Sequence, residues 1–400
     1  MEKKIVGVQT FTEGKKGNQR ENQDSMYVGE NFVAVIDGVS RKSSVKAKIK
    51  RNGKEEEIEI KIADIIAEAI GVLDSEGSKK TFEEVVEFIN SYIKEYLQRV
   101  GMDSEVGELE ATAAIYSKHH NQVWIIGDCG VICDGVSHGN PLKIDEVYRE
   151  IRNKIIEELL KEGYREEDLI KKDIARDILS QKTPEEELKL LSRYVKSGDA
   201  RERIVQFRTQ KIREALQDCG YSEEEITKKD LIETYYNPRA LQQKLKNNPN
   251  MGKYGYAVLN GENTELRNCK IVDIPEDAEN IILHTDGFAA NAFKANDIRS
   301  AVKEMRERAQ KDPLSKNENP STHAAVATIG TTEFRQKLPL PAKAKRFKEA
   351  LSVTGRKDAR DAKKSLLETR ILRIDDLTAV KFRLVRAIDK NPVVNSGDGR

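Results

Sequence analysis

The stretch ENQDSMYVGENFVAVIDGVS, residues 21–40, contains an apolar run from Phe32 to Ile36 that stops at Asp37 and Gly38. Length and β-branched content predict a strand buried along its length, with Asp37 at the point where it leaves the core. The same ending recurs: QVWIIGD (122–128) stops at Asp128 and NIILHTDG (280–287) at Asp286 and Gly287, while Asp375 and Asp376 stand directly before LTAVKFRLV (377–385). One such aspartate is an ordinary turn former. Several converging on one end of a sheet repel one another unless cations neutralise them. Hard divalent ions such as magnesium or manganese take oxygen ligands, and a pair of them suits activation of water for attack on a phosphoryl group.

Working outward, 5–11, 31–39, 111–117, 122–128, 254–261, 280–287, 323–330 and 377–385 read as strands. Helical spacing predicts one helix over 60–73 and a second carrying Val85, Phe88, Ile89, Tyr92, Ile93 and Tyr96, with Thr81 and Glu84 at capping-box distance. From about 144 to 246 the strand signal vanishes, and Ile144, Val147, Tyr148, Ile151, Ile155 and Leu159 keep helical spacing up to Gly163. Further helix starts are expected at Thr183-Pro184 with Glu186 and at Ser222 with Glu225. A basic helix is predicted near 341–368, and the turn-rich tail 391–400 is expected to be disordered. Strands and helices in separate runs point to layered α+β rather than βαβ alternation. The expected division is a core in two parts, 1–140 and 251–390, interrupted by an all-helical insertion at 141–250.

The 400 residues suffice for a full core, and 69 Lys+Arg against 68 Asp+Glu leave a net charge of +1, so no global attraction to nucleic acid or anionic membrane is expected. No apolar segment approaches the roughly 20 residues that span a bilayer. The four cysteines, Cys129, Cys133, Cys219 and Cys269, are too scattered for a disulfide framework, which together with a charged N-terminus suggests a cytoplasmic protein with buried thiols. His119 and His120 fall in a predicted hairpin turn, and Trp124 is expected in the core. His284 is read as either a packing residue or a contact behind the site, two residues before Asp286.

In this order the motifs resemble those of the metal-dependent Ser/Thr protein phosphatases of type 2C, the PPM family. The residues that carry the resemblance are Arg20-Glu21-Asn22-Gln23-Asp24, VAVIDG (33–38), ATAAIYSKHHNQVWIIGD (111–128), LHTDG (283–287) and Asp375-Asp376-Leu377-Thr378-Ala379-Val380. The resemblance implies a four-layer α-β-β-α sandwich of two antiparallel sheets flanked by helices, with a metal centre at one edge. It further implies that Asp37 bridges two Mn2+ or Mg2+ ions, that Gly38 ligates one through its carbonyl, and that Asp286 and Asp375 complete the second. Asp24 would hold metal-bound waters, and Asp128 would bind a third, weaker metal. A water activated by the two cations would attack phosphoserine or phosphothreonine of a phosphoprotein in a single in-line step.

The chain also departs from the pattern. Gln19 stands where the family has its phosphate-gripping Arg, with Arg20 one residue later, and Asp-Gly is followed by Val39-Ser40-Arg41. Arg20 and Arg41 are the candidates for substrate phosphate, although a solvated surface role also suits Arg41. These departures motivate an alternative reading as a pseudophosphatase, a phosphoprotein-binding or regulatory module without turnover. The insertion is expected to act as a lid, a regulatory element or a docking surface for a protein partner. The sequence leaves the oligomeric state open.

Overall fold

The computed structural model describes residues 3–13, 22–38, 44–51, 54–165, 168–169, 174–285 and 377–386. Twelve strands are described: β1 (Lys3–Glu13), β2 (Ser25–Val28), β3 (Phe32–Gly38), β4 (Ser44–Arg51), β5 (Lys54–Lys61), β6 (Ala111–Ser117), β7 (Gln122–Ile126), β8 (Gly130–Cys133), β9 (Val136–Gly139), β10 (Lys270–Asp273), β11 (Ile281–His284) and β12 (Leu377–Arg386). They form two five-stranded antiparallel sheets, ordered β1-β12-β11-β8-β9 and β10-β7-β6-β3-β2, and a separate β4-β5 hairpin.

Alternation along β3 shows how the layers stack. Phe32, Ala34 and Ile36 join an apolar cluster with helices α1 (Ile62–Ser75) and α2 (Phe82–Arg99), together with Ala113, Ile115, Trp124 and Ile126 of the same sheet. Val33 and Val35 point the other way, into a cluster with Ala114, Tyr116, Val131, Ile281, Leu283, Val380 and Phe382 between the sheets. The second sheet is therefore covered on both faces, which accounts for the unbroken apolar run in the sequence. The architecture is two antiparallel sheets flanked by helices.

Asp74 at the end of α1 fixes where β3 begins. Its carboxylate accepts from the amides of Glu30, Asn31 and Phe32 at 3.0, 2.6 and 3.1 Å, and from the Tyr27 hydroxyl at 3.0 Å. The β2-β3 turn and the first helix are thus locked together, and the strand's far end is held in place.

From 143 to 245 only helices occur among the described elements: α3 (Lys143–Lys161), α4 (Ile174–Leu179), α5 (Pro184–Leu191), α6 (Gly198–Asp218), α7 (Glu223–Lys228), α8 (Leu231–Thr234) and α9 (Pro238–Leu245). They share an apolar cluster that includes Ile151, Ile155, Ile178, Ile204, Ile212 and Tyr236. At its centre Arg208 is fully buried, donating to the carbonyls of Leu179 and Tyr236 at 2.9 and 2.5 Å, stacking over the Tyr236 ring at 4.0 Å and lying 3.4 Å from Glu187. The Tyr236 hydroxyl donates to the same Glu187 carboxylate. Burial pushes the Glu187 carboxyl up, opposed by the pull of Arg208. No helix among the described residues is long and apolar enough to cross a membrane.

The capping boxes at Thr81/Glu84 and Ser222/Glu225 are present, and Thr183 caps α5 with Pro184 in the first turn. Residues 254–261 correct the sequence reading: instead of a strand they make only two isolated bridges, Tyr256 to Lys246 and Leu259 to Ala111. A side chain supplies the reason, because Asn247 donates to the Val258 carbonyl at 3.0 Å and accepts from the Val258 amide at 2.9 Å, occupying bonds that a ladder would use. The β4-β5 hairpin and strands β2, β8, β9 and β10 are additions to the predicted set, and the first helix starts two residues later than expected, since 60 and 61 belong to β5. The predicted strand 323–330, the helix near 341–368 and the tail 391–400 lie outside the described residues.

Candidate active site at one edge of the sandwich

Strand register brings several of the predicted carboxylates to a common edge. β2 pairs with β3 so that Ser25 faces Ile36, the last pair of that ladder, and Asp24 and Asp37 are the next residues beyond it on the two segments. On its other side Asp37 faces Thr112 of β6. Neighbouring residues across an antiparallel pair lie about 5 Å apart, so Asp37 and Thr112 are neighbours in a row at the sheet end, and Asp24 leads into β2 at that same end.

Asp128 joins this row through a hydrogen bond, as Thr112 Oγ1 donates to its Oδ1 at 3.0 Å. The same hydroxyl lies 3.4 Å from Cys129 Sγ. Gly127 allows the approach: its φ is +79°, and a Cβ there would stand 2.2 Å from Thr112 Cγ2. Any other residue at 127 would push the two apart. Asp128 and Cys129 then lead from β7 in the second sheet to β8 in the first, placing the carboxylate where the chain passes between sheets.

The first sheet contributes at the same edge. β11 ends at His284, after which the buried Thr285 donates to Asp24 Oδ2 at 3.1 Å. Asp24 is 9 % exposed, and its amide donates to Asn22 Oδ1 at 2.8 Å. Lys61 from β5 holds this loop by donating to the Asn22 carbonyl at 2.6 Å. His284 is fully buried, and its Nδ1 donates to the Thr285 carbonyl at 3.0 Å. Burial pulls this imidazole down to about 4, against the raising effect of that hydrogen bond, so the ring is neutral at pH 7.

Of the predicted site residues, Asp24, Asp37, Gly38 and Asp128 are described, whereas Arg20, Arg41, Asp286 and Asp375 lie outside the described residues, as do Gln19, Val39 and Ser40. Among the described residues no three His, Cys, Asp or Glu side chains stand close enough together to hold a metal. The donors that are described fit a hard divalent cation in kind, being carboxylate and carbonyl oxygens with the carboxylates oriented by hydroxyls. His119 and His120 sit in the β6-β7 turn, with His120 Nε2 2.9 Å from the Lys80 carbonyl, well away from this edge in sequence. Trp124 is fully buried, as are Cys129, Cys133 and Cys219 nearly so, while Cys269 is half-buried. Sequence reasoning missed Thr112 as a partner of Asp128 and Thr285 as a partner of Asp24. A threonine in each motif was visible, but nothing local marks its hydroxyl as directed at a carboxylate.

No family model matches the sequence. No curated protein matches it either. Among solved structures it is similar to the serine/threonine phosphatase PstP/Ppp of Mycobacterium tuberculosis, at 12 % identity over 95 % of this chain and 98 % of that one, with a TM-score of 0.34. A structure of the PstP catalytic domain in complex with 2 manganese ions gives 12 % identity over 96 % and 99 %, with a TM-score of 0.34. Stp1 of Staphylococcus aureus gives 9 % identity over 97 % and 98 %, again with a TM-score of 0.34. The solved structures to which the chain is similar thus include bacterial Ser/Thr phosphatases.

Proposed function

We propose that the chain is a metal-dependent phosphatase of phosphoserine and phosphothreonine in proteins, of the type 2C kind. The observation that carries this reading is the row at the sandwich edge, in which Asp24 and Asp37 are the next residues beyond the last β2-β3 pair, Ser25 and Ile36, and Thr112 ties Asp128 to the same end. Carboxylates brought to one sheet end repel one another unless cations neutralise them, and oxygen donors suit magnesium or manganese.

In this reading Asp37, the Gly38 carbonyl, Asp286 and Asp375 would hold two divalent ions, with a third, weaker ion at Asp128. Bound there, the ions supply Lewis-acid activation of water and neutralise charge on the phosphoryl group. The chain's own residues do the rest. Asp24 orients water beside Asp37, and Arg20 and Arg41 are the candidates to grip substrate phosphate.

The helices between 141 and 250 are proposed as a lid or docking element for a protein partner. Both ends of this segment are tied beside the row: Asn140 donates to the Gly127 carbonyl at 3.0 Å, and Lys246 pairs with the buried Glu110, two residues before Thr112.

The test is hydrolysis of an aryl phosphate and a phosphothreonine peptide with and without manganese, for wild type and Asp37→Asn. Manganese-dependent turnover that the substitution abolishes supports the reading. Turnover without metal, or turnover that survives Asp37→Asn, overturns it. A wild type that binds manganese and phosphopeptide yet turns over neither substrate supports the pseudophosphatase instead, which Gln19 in place of an arginine favours.

A further inference from the structure

Two carboxylates of the proposed site accept from buried threonine hydroxyls, and the bond to Asp24 has a feature that the other lacks. Thr285 leaves the end of β11 in the first sheet, whereas Asp24 precedes β2 in the second. The 3.1 Å bond between them therefore crosses from sheet to sheet. Thr285 is fully buried, so its hydroxyl is held away from bulk water.

The backbone behind the threonine is itself pinned. His284 Nδ1 donates to the Thr285 carbonyl at 3.0 Å, and the ring is seated over Gly130, which lies opposite His284 in the ladder. A Cβ on Gly130 would stand 2.6 Å from ring atoms of His284, so this seating needs a glycine there. On the other side, Asp24 is held through its amide on Asn22, whose carbonyl Lys61 grips at 2.6 Å. The carboxylate is thus fixed at both its backbone and one of its oxygens.

We propose that Thr285 is a positioning residue that orients the Asp24 carboxylate across the sheet interface for the cation site. The inference rests on the phosphatase reading given above. A hydroxyl placed only to fill space would be replaceable by a methyl group of the same size, whereas an orienting donor would not. Supporting hydrogen bonds to groups of a metal site typically change metal affinity by about 10- to 100-fold when lost.

The experiment is a calorimetric manganese titration of wild type, Thr285→Val and Thr285→Ser, with aryl phosphate hydrolysis measured at varied manganese and the thermal midpoint recorded for each. The expected result is a folded Thr285→Val that binds manganese about 10-fold or more weakly, with the manganese requirement shifted further than kcat at saturating metal, and Thr285→Ser restored to wild type. A folded Thr285→Val that binds as wild type does overturns the proposal, as does a Thr285→Ser as weak as the valine variant. If the valine variant does not fold, Thr285→Ala removes the hydroxyl without adding bulk and carries the same comparison. A wild type that binds no manganese overturns the phosphatase reading itself and the positioning role with it, an outcome distinct from a functional wild type with an indifferent Thr285→Val.

Discussion

Thr112 illustrates how much one side chain carries at this edge. Facing Asp37 in register and donating to Asp128, it is 4 % exposed. Hydrogen bonds to charged groups contribute about 1.5–3 kcal/mol, and a buried acceptor left without its donor bears its full desolvation cost. Thr112→Val is therefore expected to lower stability by about 2 kcal/mol in urea unfolding, with Thr112→Ser losing less than half of that. Trp124 behaves differently, since it packs between Phe82 and Phe32 with ring centroids at 5.5 and 6.4 Å and belongs to no site. Trp124→Ala should cost about 3–5 kcal/mol in the same measurement while leaving manganese binding of the folded fraction unchanged. The sequence made the places of Asp37 at the end of β3, Asp128 just past β7 and Trp124 in the core legible because strand endings and apolar periodicity are local. The partners were not legible: Thr285 is 261 residues from Asp24, and only the register of separate sheets brings them together.

Among the elements, the β4-β5 hairpin shows a signal that was present but overlooked. Val45, Ala47 and Ile49 alternate with Lys46, Lys48 and Lys50, Ile58 and Ile60 alternate with Glu57, Glu59 and Lys61 in the partner run, and Asn52-Gly53 lies between them. Register pairs Lys46 with Glu59 and Lys48 with Glu57, and Ala47 and Ile60 are buried against the α1 side, so the charge-rich appearance conceals a two-faced ribbon. The strand predicted at 254–261 failed for the opposite reason. Its apolar alternation was real, but the backbone partners were taken by the side chain of Asn247. The helices were the most legible elements because caps and 3.6-residue spacing are written in neighbouring residues. Removing the cap with Thr81→Ala should cost about 1 kcal/mol by chemical denaturation. Arg208→Ala, which removes the one cation paired with buried Glu187 in the described residues and leaves it the Tyr236 hydroxyl alone, should cost about 3–5 kcal/mol, and the loss should fall on protection of amide hydrogens within α4 to α6.

For the molecule as a whole, acid stability is set partly by the helical segment. Burial acts to raise the Glu158 carboxyl, but hydrogen bonds from Lys154, Arg203 and Lys161 outweigh it and bring the value down to about 2. A carboxyl depressed in the fold stabilises it fully above its unfolded value, and that stability fades as pH falls toward the folded value. Urea midpoints followed downward from about pH 4.5 toward 2 should therefore fall more steeply for wild type than for Glu158→Gln. The candidate site, by contrast, draws on both sheets: the residue before β2, the end of β3 and the β7-β8 connection carry Asp24, Asp37 and Asp128, Thr112 of β6 donates to Asp128, and Thr285 after β11 donates to Asp24 from the other sheet. In the proposed reading this shared edge, with Asp37 on it, is built around divalent cations. That reading is tested most directly by calorimetric titration of manganese into wild type and Asp37→Asn, with each shown to be folded by its thermal midpoint. Saturable binding to the wild type and its loss in Asp37→Asn are expected; equal binding by both proteins, or none by the wild type, would rule out a cation site built on Asp37.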